Sequence, residues 1–257
     1  MLLRKMFQRK WLFATLLVLT GTALCVRLGI WQLDRLQQRR AFNAQFESAR
    51  AEPVLDLDQE LPEGITEMEW RPVKVTGEYD FVNQIALRNQ YNGHQYGYHL
   101  LTPLLFSSST LPAAVGQAKA VLVDRGWIPA DGNSHPADWR KYDEPGTVHV
   151  FGQIRLGQAR PAFGGVADVP PGNGAKLDIW NNADLEHIAT QMPYPVLPVY
   201  VQPATDASDT EPPIPFQPEI EITEGPHLGY ALQWFAFATI LFIGYPFYLR
   251  KQERGPK

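Results

Sequence analysis

The sequence predicts a membrane-anchored α+β protein, with a transmembrane helix at each end and a mainly antiparallel β external domain carrying one or two helices between them. Three observations predict it. Apolar residues collect in two runs at opposite ends of the 257-residue chain. The stretch between those runs is polar and rich in Pro and Gly. Within that stretch the apolar pattern alternates with the period of strands rather than of helices.

The first run, WLFATLLVLTGTALCVRLGI over residues 11–30, holds one charge, Arg27, near its end. Its length as a helix is roughly 30 Å, enough to cross a hydrocarbon core. The second, LGYALQWFAFATILFIGYPFYL, has no charge and belongs to a span assigned to 227–249. A cleaved signal peptide is the alternative for the first run, because Arg4, Lys5, Arg9 and Lys10 precede it. The apolar stretch is long for a signal core and no A-x-A site follows, so an uncleaved anchor is expected.

Basic residues set the expected orientation. The tails 1–10 and 250–257 carry four each, whereas residues 31–226 hold 14 basic against 26 acidic residues. Both termini are therefore expected in the cytoplasm and residues 31–226 in the periplasm of a bacterial inner membrane. Trp31, Tyr230 and Trp234 at one boundary, and Trp11, Tyr245 and Tyr248 at the other, suit the two interfaces. The one cysteine, Cys25, lies inside the first span, so no disulfide can brace the external domain.

Residues 31–52 contain no helix breaker and are expected to continue the first helix outward. A connector leads into a β domain over 53–192. RPVKVTGEYD, NQIALRNQ, YGYHLLTPLLF, KAVLVDRGWIP, GTVHVFGQIRLG and LPVYVQP are its strand candidates, and they suggest an antiparallel sheet or small barrel. Asn182 is placed to cap a helix over ADLEHIATQM. Residues 193–226 contain many prolines and read as an extended tether to the second span. No long heptad run stands out.

Enzymatic motifs are missing: no nucleophile elbow, zinc-protease helix, phosphate loop or dinucleotide fingerprint occurs. The chain is therefore expected not to be an enzyme. Nothing in it points to nucleic acid. His94, His99, His135, His149 and His187 are scattered and read as surface or sheet residues.

His227 differs, because it stands at the outer mouth of the second span. His227, Tyr230, Ala231 and Trp234 share one helical face. An imidazole at the edge of an aromatic groove is able to ligate a haem iron; the other reading is an interfacial histidine bonded to headgroups or water. Arg27, Trp31 and Arg35 form a matching stripe on the first helix. Its arginines suit haem propionates, or they snorkel to headgroups. Arg125, Gly126 and Trp127 end a strong strand, and read either as a packing device or as a docking surface for a partner.

LGIWQLDRLQQR, RPVKVTGEYD, RNQ…GYHLLTPL, VLVDRGWIP and HLGYALQWF occur in this order between the two end spans. Together they resemble the Surfeit locus protein 1 family of cytochrome c oxidase assembly factors. The resemblance covers roughly residues 11–160 and 226–250 and rests on Gly29, Trp31, Gln32, Arg35, Gly77, Gly97, Arg125, Gly126, Trp127, Tyr230 and Trp234. It implies a chaperone for haem–copper oxidases acting where haem a reaches the catalytic subunit, with His227 at the position of the family's candidate haem ligand. It also implies as partners the oxidase catalytic subunit, haem a synthase and the lipid bilayer. A cofactor-free scaffold for a nascent oxidase subunit is the second expectation. An envelope polysaccharide chain-length regulator is a third, which the strand pattern disfavours.

Overall fold

In the computed structural model, described for residues 6–107, 118–160, 168, 175–206, 208–218 and 220–253, the chain divides into two units. One comprises Met1–Phe46 with Ile220–Lys257, the other Glu47–Glu219. Of the basic tail residues, Arg4, Lys5, Arg254 and Lys257 lie outside the described residues.

The first unit is built on helix α1, Arg9–Ala51, 43 residues and about 65 Å long. No proline interrupts it until Pro53, which disfavours helical geometry at Glu52 and ends it. The expected helical extension past residue 31 is thus continuous with the apolar run. The C-terminal helix of this unit, His227–Glu253, starts directly after Pro226. Both helices are long and apolar enough to cross a membrane.

These two helices meet antiparallel. Trp11 packs edge-on against Tyr248, with ring centroids 6.3 Å apart. The hydroxyls of Thr15 and Tyr245 share a 2.7 Å hydrogen bond. A Cβ on Gly29 would fall 2.7 Å from Phe235 Cε1, so this approach needs glycine. Buried or half-buried positions on α1 include 11, 15, 18, 22, 25, 29, 32, 36, 39, 43 and 46, flanked by half-buried 14, 21, 28 and 49. Steps of four and three alternate, which is a heptad seam. It escaped the hydrophobic pattern because Thr15, Thr22, Gln32, Arg39 and Asn43 occupy several of its positions.

The second unit holds strands β1 (Leu55–Asp56), β2 (Pro72–Tyr79), β3 (Ile85–Asn92), β4 (Gln95–Phe106), β5 (Ala120–Pro129), β6 (Thr147–Leu156), β7 (Ile179–Trp180) and β8 (Val196–Pro203). The sheet order is β1-β2-β6-β8-β5-β4-β3-β7, and β2 also pairs with β4. That extra pairing closes β2, β6, β8, β5 and β4 into a barrel. Closure occurs at the end of β2, where Gly77, Glu78 and Tyr79 oppose Phe106, Leu105 and Leu104. Three pairings are parallel (β1 with β2, β3 with β7, β5 with β8), so the sheet is mixed rather than purely antiparallel.

Alternation drives the packing. Val73, Val75, Val121, Val123, Val150, Ile154, Val199 and Val201 turn inward and fill the barrel. Leu55, Leu57, Leu61 and Ile65, from the segment read as a mere connector, join the same core. β5 is buried along nearly its whole length because its opposite face is covered as well. There Leu122 meets Trp180, Leu185 and Ile188 from β7 and the short helix α2, Leu185–Thr190. Asp184 caps α2, two residues beyond the expected Asn182; its carboxylate accepts the His187 N–H.

The Pro-rich stretch 193–226 is no free tether. Its beginning is β8, a central barrel strand. Further on, Ile214 forms a two-way bridge with Trp127: Trp127 N donates to Ile214 O at 2.7 Å, and Ile214 N donates to Trp127 O at 2.9 Å. Gln217 Nε2 donates to the Pro203 carbonyl at 2.8 Å. The segment is therefore a strap laid over the barrel and satisfied by backbone hydrogen bonds.

Candidate functional site

The sequence-derived residues fall into two places. In the helix pair, with the C-terminal helix now called α3, His227 begins α3 and faces α1. Its Nδ1 lies 2.8 Å from Gln32 Oε1. A carboxamide oxygen only accepts, so Nδ1 carries the proton and donates it. Nε2 is left with its lone pair, the tautomer that a second-shell acceptor selects in metal-binding histidines.

Ala231 and Trp234 lie on the same seam, Ala231 buried and Trp234 half-buried. Tyr230 stands off it with half of its surface exposed. The Arg27, Trp31 and Arg35 stripe does not meet His227 as the spacing suggested. Trp31 precedes the seam residue Gln32, and one residue turns a helix by about 100°. Arg27, Trp31 and Arg35 are all exposed. Arg35 sits 5.6 Å over the Trp31 ring and donates to Gln38 Oε1 at 3.0 Å. The residue that reaches His227 is Gln32, which carried no assigned role beforehand. Its signal was a polar side chain on a helix face otherwise suited to packing.

A haem iron could take one nitrogen from this donor set. No group of three or more His, Cys, Asp or Glu able to hold a metal ion occurs among the described residues. The His227 imidazole would supply one iron-binding nitrogen, with the Trp234 indole about two turns along the same seam and guanidinium groups at Arg27 and Arg35 off it.

The second place, Arg125–Trp127, lies inside the β domain. Arg125 retains 7% of its surface and Trp127 4%. The guanidinium lies between the rings of Tyr79 and Phe81, 5.0 and 5.1 Å from their centroids. It donates to Gln84 Oε1 at 3.3 Å and to the Tyr142 carbonyl. Burial lowers the Arg125 pKa from its ordinary value, and burial pushes the Tyr79 hydroxyl up to about 12. Gly126 adopts φ +121 and takes the strap against its bare Cα, where a Cβ would lie 2.2 Å from Ile214 O. The docking-surface reading of Arg125, Gly126 and Trp127 is corrected by this burial. These residues hold the strap and present almost no surface.

One buried pair was not singled out at all. His99 Nδ1 donates to Asp124 Oδ2 at 3.0 Å between β4 and β5, and the Phe216 ring meets the imidazole edge-on.

Residues 19–239 match the model of the SURF1 family, a stretch that includes Gln32, the β domain and His227. This chain belongs to the SURF1 family. The SURF1-like protein of Rickettsia bellii (strain RML369-C) is 26% identical over 248 residues, covering 93% of this chain and 92% of that protein. The SURF1-like protein of Caenorhabditis briggsae is 25% identical over 259 residues, covering 91% and 74%. Surfeit locus protein 1 of Mus musculus is 27% identical over 241 residues, covering 87% and 71%. The membership drawn from five ordered motifs is met, and the SURF1 match extends through the strap as well.

Proposed function

We propose that this SURF1 family member is an assembly factor for a haem–copper cytochrome c oxidase, held in a bacterial inner membrane by α1 and α3. Both termini face the cytoplasm, and residues 31–226 face the periplasm. Its cargo is haem a, which it receives beside haem a synthase and presents to the oxidase catalytic subunit. The chain makes and breaks no covalent bond in this reading.

The observation that carries it is the His227–Gln32 pair. Gln32 accepts the Nδ1 proton and orients the ring, which leaves Nε2 as the nitrogen that would bind iron. Haem a, if bound, would supply an iron that such a nitrogen could ligate. Trp234 would offer an aromatic face, and Trp31, Tyr230, Arg27 and Arg35, all off the seam, would be the residues available to the macrocycle and its carboxylates.

Protein purified from membranes that also contain haem a synthase is expected to carry haem, read from its absorbance. His227→Ala is expected to lose it. Gln32→Leu is expected to weaken haem affinity by roughly tenfold, the usual effect of removing a ligand's orienting partner. Equal haem content in wild type and His227→Ala rejects His227 as the ligand. A haem-free wild type that still co-purifies the catalytic subunit favours the cofactor-free scaffold.

A further inference from the structure

Further along the helices from His227, Gly29 beneath Phe235 and the Thr15–Tyr245 hydrogen bond fix how α1 and α3 meet. At the end that bears His227 the α1 seam is polar, with Gln32, Arg39 and Asn43 on it, and polar seam residues specify register. Shifting the start of α3 by one turn would move it about 5.4 Å. It would also carry His227 from Gln32 to the level of Leu28 or Leu36, where no hydrogen-bonding side chain awaits it.

Directly past Gln32, α1 grips the chain that runs into α3. Arg39 Nε donates to the Thr223 carbonyl at 3.0 Å, and Arg39 Nη2 donates to the Glu221 carbonyl. Asn43 Nδ2 donates to the same Thr223 carbonyl at 3.2 Å. Arg40 binds Glu224 in a fork, with Nε and Nη2 each 2.8 Å from one carboxylate oxygen. The acceptors all lie within the six residues preceding His227. Two of the three acceptor residues offer backbone carbonyls, so this grip holds the path of the chain rather than the identity of its side chains. The Arg40 hydrogen bond keeps Glu224 below the usual carboxylate range, so the fork is charged at neutral pH.

We infer that Arg39, Arg40 and Asn43 form a register clasp, which sets the axial position of α3 and keeps His227 seated on Gln32. They are positioning residues, and the inference deepens the reading of His227 given above. An exposed ion pair such as Arg40–Glu224 stabilises little by itself. What a fork of two parallel hydrogen bonds supplies is direction and distance. Held a few residues ahead of His227, it fixes the start of α3 where Gly29 and Thr15, further along the seam, do not reach.

The test uses the full chain in native membranes with Cys25→Ser as background. Cross-linking is compared among Gln32→Cys/His227→Cys, Leu28→Cys/His227→Cys and Leu36→Cys/His227→Cys. With the clasp intact the 32–227 pair is expected to dominate. In Arg39→Ala/Arg40→Ala/Asn43→Ala its yield is expected to fall by roughly tenfold, the ratio that ~1.4 kcal/mol of preference maintains, with yield moving to 28 or 36. An unchanged pattern overturns the clasp. Arg40→Glu alone is expected to scatter the pattern and Arg40→Glu/Glu224→Arg to restore it, which a misfolded chain would not do; failure of the swap to restore counts against the inference. Cross-linking needs no haem, so it decides the clasp even where His227→Ala retains haem. In chains that keep His227, the haem absorbance band is expected to shift or vanish with the triple variant and to return with the charge swap.

Discussion

Gly126→Ala tests the strap most directly. The added Cβ would lie 2.2 Å from Ile214 O, 2.3 Å from Ile214 C and 2.6 Å from Pro215 N, all backbone atoms that cannot rotate aside. The strap must retreat by about 1 Å to reach ordinary contact. That stretches both hydrogen bonds of the Trp127–Ile214 bridge beyond useful length. Two net backbone bonds contribute about 2 kcal/mol, and an L-residue at φ +121 adds about 1–3 kcal/mol of strain. The expected loss is about 3–5 kcal/mol, a drop on the order of 10 °C in the melting of the β domain. It is read by near-ultraviolet circular dichroism of the full chain in detergent. Gly132→Ala is the control, since Gly132 also has positive φ, +69, but a Cβ there meets nothing within 4 Å. If Gly126→Ala costs no more than Gly132→Ala, the strap does not depend on this contact and the packing account of Gly126 is wrong.

Arg125→Met is expected to destabilise the β domain by about 2–4 kcal/mol, because the Gln84 and Tyr142 oxygens lose a charged donor inside the fold. The midpoint of chemical denaturation measures it. A variant of full stability that no longer captures the oxidase subunit would return Arg125 to a docking role. Asp80 gives a pH dependence: burial raises its pKa, but hydrogen bonds from the Tyr194 hydroxyl, Asn83 and Val82 outweigh this and leave it below the ordinary value. A carboxyl depressed in the folded state stabilises above its unfolded pKa, and that contribution is lost as pH falls through the folded pKa. Asp80→Asn is therefore expected to lower stability at neutral pH and to flatten the loss on acidification; parallel melting-versus-pH curves for the two proteins would refute it.

Much of the chain was legible locally. A long run of apolar residues with at most one charge announces a membrane-length helix whatever lies elsewhere, and the unbroken α1 followed from the absence of proline up to Pro53. All six strand candidates correspond to strands, β2, β3, β4, β5, β6 and β8, since alternation and turn residues are read within a few positions. The two-residue strands β1 and β7 were too short to leave a periodic signal. Leu55, Leu57, Leu61 and Ile65 were taken as connector because they enter the barrel core through an irregular path that has no period.

For the site, the residue types were readable and the pairings were not. His227 stood out in the sequence as a lone imidazole at the end of an apolar span, and its partner did not. Gln32 meets it across 195 positions only because α1 and α3 pack along a seam offset from the Arg27–Trp31–Arg35 stripe. Arg125–Trp127 had the composition of a contact surface, but the strap residue Ile214, far along the chain, closes over Gly126 and buries it. Local sequence determined the family motifs, the two membrane-length helices and the strand set, because each depends on spacing within a few residues. Tertiary structure alone decided the barrel closure, the docking of the proline-rich strap, the clasp on residues 221–224 and the Gln32–His227 pair. Each of these depends on which distant backbones approach closely enough for a hydrogen bond, and that distance is set by packing rather than by neighbouring residues.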